Sequence, residues 1–405
     1  MLYKNICVAC LLTLSTGAYA QAKNWAGWLL QTVDTHPSIL ALKHDARASG
    51  YQAAAFNKPL YNPSLDTSLE REGSEINYQI GLSSQLDWHD VQSSQIQAGN
   101  FLAEQSQLAL EIARSDLLSE SLKAQISLTY AERQYEIATK RVNQSIELLN
   151  IIGKKVETGE VPEITLAFTK AATAEAMVAE SEWLTSWQQA KQDVVTVLGR
   201  TGLDTPISDN VWTPTLSLLS PGQVQQLPSL RYAHLSWLIA TNEVDVQRTS
   251  NKPVPTVGFG VGRQAGEPLL SLSMSVPLNI RNDFIDVTEV AKQRALASEQ
   301  QLQAEVIAVR EAISSTYQQL QLLGERYRIW EQIDSSDFTV QAQVLVDRFS
   351  AGDLPFTEFH AQLNELLSGQ QAALTLTYQY QLAYINYLHQ SAGLVSHISA
   401  LADEE

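Results

Sequence analysis

The sequence predicts a mostly helical chain with a small β part, in which long antiparallel coiled-coil helices and strand hairpins are written twice in tandem. Three observations predict it. Two long runs lack helix breakers: Phe101 to Ile152 has neither Gly nor Pro, and Phe284 to Ala351 has only Gly324. Four short stretches alternate apolar and polar residues. Three anchor motifs recur in the same order at nearly one offset. His36-Pro37-Ser38-Ile39 matches Leu227-Pro228-Ser229-Leu230 at 191, and Asn62-Pro63-Ser64-Leu65 matches Val254-Pro255-Thr256-Val257 at 192. KVETGEVPEITL (Lys155 to Leu166) matches RFSAGDLPFTEF (Arg348 to Phe359) at 193. Ordered matches of this kind mark a duplication.

The first element is a targeting segment. Lys4, the apolar stretch Ile6 to Leu14 and the small residues of Ala18-Tyr19-Ala20 read as a secretory signal peptide over residues 1–20, cleaved before Gln21. Cys7 and Cys10 are the only cysteines and lie inside it, so the mature chain is expected to hold neither a disulfide nor a thiolate metal site. Neither cysteine stands where a lipoprotein cleavage site needs one, and a lipid anchor is not expected. Removing the segment leaves 26 basic against 44 acidic residues, a charge of −18. Such a surface repels phosphate backbones, and nucleic acid is a poor partner. No other stretch approaches the ~18 apolar residues of a spanning helix, so an inner-membrane protein is not expected.

The two copies are placed at residues 21–200 and 227–395, with a Pro- and Gly-containing connector at 201–226 and a C-terminal tail at 396–405. Each begins with a helix rich in small and apolar residues (Ser38 to Phe56; Leu230 to Arg248). Two alternating stretches follow, then a very long helix, a turn and another long helix. In the first long helix Ala124, Leu128, Ala131, Tyr135, Ala138, Val142, Ser145 and Leu149 keep alternating spacings of four and three, a heptad seam with one small and one large line. An ordinary amphipathic bundle helix carries the same stripe; length favours the coiled coil. Gly159 and Gly352 are expected to end the outgoing helices with positive φ, and Pro162 and Pro355 to open the returning ones. These turns are helical-hairpin tips.

The alternating stretches read as strands. Asn77 to Trp88 and Leu270 to Ile280 put apolar residues on every second position, Thr256 to Arg263 sets Val257, Phe259 and Val261 against three glycines, and Pro63 to Glu70 is the weakest. They form two hairpins, over 63–88 and 255–280, turning near Gly73-Ser74 and Gly266-Glu267. Each strand is near the ~9–11 residues of a tilted transmembrane strand. Four strands cannot close a membrane barrel, and an open edge in lipid leaves backbone groups unpaired. Copies must complete the sheet. A homotrimer gives twelve strands; a dimer gives eight and too narrow a lumen.

This order of elements resembles the TolC family of trimeric outer-membrane efflux channels over almost the whole mature chain. The compact length and the passage SMSVPLNIRNDFIDVTEVAKQRA (Ser273 to Ala295) are most similar to the heavy-metal (CzcC/CusC-like) branch. The resemblance implies a twelve-stranded barrel in outer-membrane lipid and a periplasmic helical extension. It also implies tips that open on contact with a periplasmic adaptor (membrane fusion) protein and an inner-membrane pump of RND type. The cargo would be metal cations or small toxic compounds. Members often carry an acid six positions after the tip glycine. Glu358 keeps it after Gly352; Thr165 departs from it after Gly159. Glu160 and Asp353 are further pore or gate candidates, and with Glu157 and Glu163 they crowd the tips; solvated charge at helix ends explains such acids equally well.

No catalytic constellation is expected. Gly258-Phe259-Gly260-Val261-Gly262 has the look of a nucleotide loop, but Pro268 and a strand follow where a helix is needed. His44-Asp45 and His89-Asp90 are adjacent pairs without a serine motif, and the seven histidines show no helical ligand spacing. The expectation is a passive conduit: no enzyme, no cofactor, no metal site. The alternative is a soluble periplasmic coiled-coil adaptor or scaffold whose strands form a small β-domain.

Overall fold

The computed structural model describes residues 25–205, 207, 217–333 and 338–404. The signal peptide and most of the connector, Pro206 and Pro214 included, lie outside these residues. The described chain is mostly helical with one four-stranded sheet. It divides into two compact units. One comprises Met1–His36, Arg114–Ser220 and Glu311–Glu405; the other comprises Pro37–Ala113 and Pro221–Arg310. The divisions fall within the two longest helices, α3 (Val91–Glu157) and α7 (Ile285–Glu331). At ~1.5 Å per residue the 67 residues of α3 run about 100 Å. None of the described helices is long and apolar enough to cross a membrane.

The unit that holds the sheet contains α2 (Pro37–Phe56), β1 (Ser64–Glu72), β2 (Glu75–Gln85), α5 (Pro221–Gln225), α6 (Pro228–Ser250), β3 (Thr256–Gln264) and β4 (Glu267–Ser275). All neighbours are antiparallel, in the order β1-β2-β3-β4. The first part of α3 docks on α6 through Asn242 Nδ2 donating to Ser94 O (2.9 Å), Gln105 Nε2 to Ser236 Oγ (2.7 Å) and the Arg231–Glu104 ion pair (2.9 Å). Two strands are shorter than the sequence predicts. β2 stops at Gln85 because the chain turns there, Trp88 N donating to Leu86 O at 2.8 Å. β4 stops at Ser275 because Pro277 has no N–H with which to continue the ladder. Leu86, Trp88, Val276, Leu278 and Ile280 are all exposed beyond the sheet.

Each hairpin then enters its long helix in the same way. The residue just before the helix takes positive φ, 56° at Asp90 and 57° at Phe284. Asp87 caps α3, its carboxylate accepting from Val91 N and Gln92 N at 2.9 Å each.

The other unit is all helix. It contains α1 (Trp25–Thr35), most of α3, α4 (Glu163–Leu198), a 3₁₀ turn at Arg200–Leu203, the end of α7, α8 (Phe338–Ala351), α9 (Phe356–Gln390) and α10 (Leu394–Glu404). Here the single helix expected from Phe284 to Ala351 is corrected. α7 ends at Glu331, with Ile333 N donating to Trp330 O at 2.9 Å, and α8 starts at Phe338. Between them the sequence reads Asp334-Ser335-Ser336-Asp337, residue types whose side chains compete for the backbone donors of a helix. Nearly all of the stretch 396–405 is the helix α10, whose Leu394 and Ile398 are buried; α10 packs against α1, where Leu29 and Val33 are buried.

Along α3, Ala124, Ala131, Ala138 and Val142 of the heptad seam are buried, while Leu128, Tyr135, Ser145 and Leu149 are half-buried. Tyr135 of the seam and Tyr130 beside it meet aromatic partners. Tyr135 stacks on Trp187 of α4 (5.2 Å), and Tyr130 stacks on Tyr378 of α9 (4.3 Å) with Trp183 edge-on (5.8 Å). Such pairs add ~0.5–1.5 kcal/mol beyond burial.

Candidate functional site

Two surfaces stand out, one in each unit. The first is the sheet. Its register lines up Leu65, Leu82, Phe259 and Leu272 on one row and Thr67, Ile80, Val261 and Leu270 on the next. Every second residue faces the same way, so these rows share one face. That apolar face is exposed: Leu272 is 86 % exposed, Leu69 78 %, Phe259 55 % and Ile80 53 %. The opposite face carries small and polar residues, with Ser83, Gly258 and Ser273 on one row and Gly81, Gly260 and Ser271 on another. A water-soluble sheet is arranged the other way round.

Glycines permit close backbone approach between β2 and β3. A Cβ at Gly262 would stand 2.1 Å from Tyr78 O, and one at Gly81 would stand 2.7 Å from Phe259 O. Both contacts cross the β2–β3 seam, where the two hairpins join. Gln79 lies over Gly260, donating from Nε2 to Ser271 Oγ at 2.6 Å. The glycine-rich run that imitates a nucleotide loop is thus the middle of strand β3.

The second surface is the pair of tips. Gly159 has φ 76° and Gly352 has φ 85°. At the first tip Gly159 N donates to Val156 O (3.0 Å) and Glu160 N to Lys155 O (2.8 Å); at the second, Gly352 N donates to Phe349 O (3.1 Å) and Asp353 N to Arg348 O (3.0 Å). Both are Schellman motifs, which satisfy the last helix carbonyls. Pro162 and Pro355 stand at the N-cap, one step before the expected first turn, in extended backbone with φ −64° and −63°.

One hydrophobic cluster holds both tips together. Leu148 and Ile152 of α3 pack with Leu345, Val346 and Phe349 of α8, with Leu354, and with Phe359 of α9. Phe349 stacks on Phe359 at 4.7 Å, and Lys155 Nζ from the other tip lies 5.4 Å from the Phe349 ring centre.

The acids lie outside this cluster. Glu358, in the first turn of α9, is exposed and accepts from Gln362 Nε2 at 3.0 Å. Thr165, the corresponding residue of α4, is half-buried, its N–H donating to Pro162 O at 3.0 Å. Glu160 accepts from Thr158 Oγ1 at 2.8 Å, and Asp353 is exposed. Away from the tips, burial pushes the Lys123 ammonium down against Glu120 and Asp116, and pushes the Tyr380 and Tyr387 phenols up. No group of three or more His, Cys, Asp or Glu able to hold a metal occurs among the described residues.

No protein-family model and no curated protein matches the chain. Solved structures do. The CmeC outer membrane channel of Campylobacter jejuni matches with a TM-score of 0.75 at 12% identity, over 95% of this chain and 91% of that one. The outer-membrane channel OprN matches at 0.74 and 17%, over 91% and 90%. CusC, described by its transmembrane channel formation, matches at 0.73 and 15%, over 91% and 92%.

The fold is that of these outer-membrane channels.

Within that channel fold the sequence-derived candidates fall into two groups. Gly159, Glu160, Pro162 and Thr165 lie on one tip, and Gly352, Asp353, Pro355 and Glu358 on the other. Sequence reasoning missed Phe349 and Lys155, which join the tips although they lie 194 residues apart. It also missed Gln79, a polar residue indistinguishable by pattern from its neighbours. Arg71 and Arg263 were overlooked as well, although their spacing of 192 repeats that of the strand anchors.

Proposed function

We propose that this chain is the outer-membrane channel component of a tripartite efflux system, a passive conduit rather than an enzyme. The single observation that carries the proposal is the outward-facing apolar side of the sheet, on all four strands, over a polar and glycine-lined reverse. Leaving that face in water forfeits roughly 25 cal/mol for each Å² of apolar surface. Lipid removes the penalty, and the reverse face then lines water. The outer strands β1 and β4 each have one unpaired edge in the single chain. Three copies joined edge to edge make a closed twelve-stranded barrel, which is the trimer proposed here. A periplasmic adaptor and an RND-type inner-membrane pump are the partners proposed here.

A soluble adaptor or scaffold is disfavoured by the same surface, since a small water-soluble β-domain does not display its apolar side on every strand. Fractionation tests the proposal. The protein is expected in outer membranes and to be extracted only by detergent; release by osmotic shock contradicts the reading.

At the tips, Glu358 is the proposed pore charge. Three symmetric copies of this exposed carboxylate would repel one another at a constriction and favour cation entry. With Thr165 in the equivalent place, the ring has three acids rather than six. Glu358→Gln is expected to lower cation conductance, or to change its pH dependence, in planar bilayers. Unchanged recordings remove Glu358 from the pore.

A further inference from the structure

The charges of the sheet are sorted by face. Among the described side chains, Asp66, Glu70, Glu75 and Glu267 all belong to the polar face by register. Arg71 and Arg263 are the only charged residues on the apolar face, and both are exposed. Each occupies the last or nearly last rung before its hairpin turn. Two hairpins far apart in sequence thus place an arginine near the turn end of the apolar face, the two offset by two residues along β2. An arginine at a bilayer midplane costs ~2–4 kcal/mol, falling to ~0–1 near the interface, so the turn end is where such a residue is tolerated.

The two guanidinium groups are held alike. Arg71 Nε donates to Gly73 O at 3.3 Å, and Arg263 Nε donates to Gly266 O at 2.7 Å. No other partner is recorded for either among the described residues, and the acids of the sheet point away on the reverse face. The terminal nitrogens of each therefore remain available. Between the two lies strand β2, with Tyr78 paired to Arg263 and Ile76 paired to Arg71. Two strand spacings across and two residues along the strand set their backbones roughly 12 Å apart. In a chain of net charge −17, an unpaired basic pair above an apolar band has one complementary ligand, an anionic headgroup over acyl chains.

Resting on the membrane reading above, we propose that Arg71 and Arg263 form a rim that binds the phosphate of anionic lipids in the leaflet at the hairpin-turn end. The turn-bracing bond through Nε fixes each guanidinium, and its outer edge takes the phosphate oxygens. A trimer would carry six such arginines, encircling the barrel.

The test uses the full-length protein in mixed micelles of neutral detergent, phosphatidylcholine and phosphatidylglycerol. Native mass spectrometry counts each lipid retained by the assembly. The native protein is expected to enrich phosphatidylglycerol, and R71Q/R263Q to lose about fivefold of that preference per arginine. R71K/R263K, which keeps the charge, is expected to retain the larger part. Equal retention by the native protein and R71Q/R263Q overturns the proposal. Should R71Q/R263Q fail to assemble, R71K/R263K decides: loss of the preference there overturns it too. Displacement of phosphatidylglycerol by inorganic phosphate alone also overturns it, because the rim would then be a free-phosphate site. A protein that takes up no detergent defeats the membrane reading itself. One that assembles in detergent yet retains both lipids equally defeats only the rim.

Discussion

Gly262 shows how a single residue shapes the sheet. Its missing Cβ makes room for the carbonyl of Tyr78, a backbone atom that cannot step aside. Gly262→Ala is therefore expected to open the β2–β3 seam, at a cost of ~1–3 kcal/mol, and to deplete the assembly seen on an unheated gel. Gly50→Ala, where nothing lies within 4 Å, is the control and leaves it intact. At Gly260 the nearest atoms are the side-chain ends Gln79 Nε2 and Ser271 Oγ, so Gly260→Ala is expected to be milder than Gly262→Ala. The alternation of β3 was legible, and so was the smallness of its reverse face. The close approach was not, because it depends on which strand lies next to β3, and β2 comes from the other half of the chain.

At the scale of elements, the tips behave as one body. Phe349 is buried under both turns, so Phe349→Ala is expected to cost ~3–5 kcal/mol of local packing. Hydrogen exchange is expected to accelerate in the residues around 148–166 and 345–366 together while the strands stay protected. Acceleration of one tip alone means that the tips are not coupled. Gly352→Ala forces a side chain into left-handed backbone, worth ~1–2 kcal/mol, and is expected to loosen the second tip's turn without emptying its core.

The long helices and the turns between them were legible because Gly and Pro are absent and then suddenly present. The end of α7 at Glu331 was not, because neither Gly nor Pro marks it in the sequence. The strand ends were overrun for a related reason. Alternation continues through Leu278 and Ile280, but Pro277 has already removed a donor from the ladder. The short helices α1 and α10 went unread, since their packing joins opposite ends of the sequence.

For the whole molecule, the mostly helical fold with one small sheet could be read from the chain, because it rests on periodicity. What a single chain lacks is a neighbour for β1 and β4. The central claim is that sister chains supply that neighbour in lipid, with the apolar face outward. The most direct measurement is the mass of the detergent-solubilised protein, by native mass spectrometry before and after heating. The account predicts three mature chains per particle, separating to one on heating, and no folded particle once detergent is removed. A folded monomer that stays dispersed in plain buffer contradicts it.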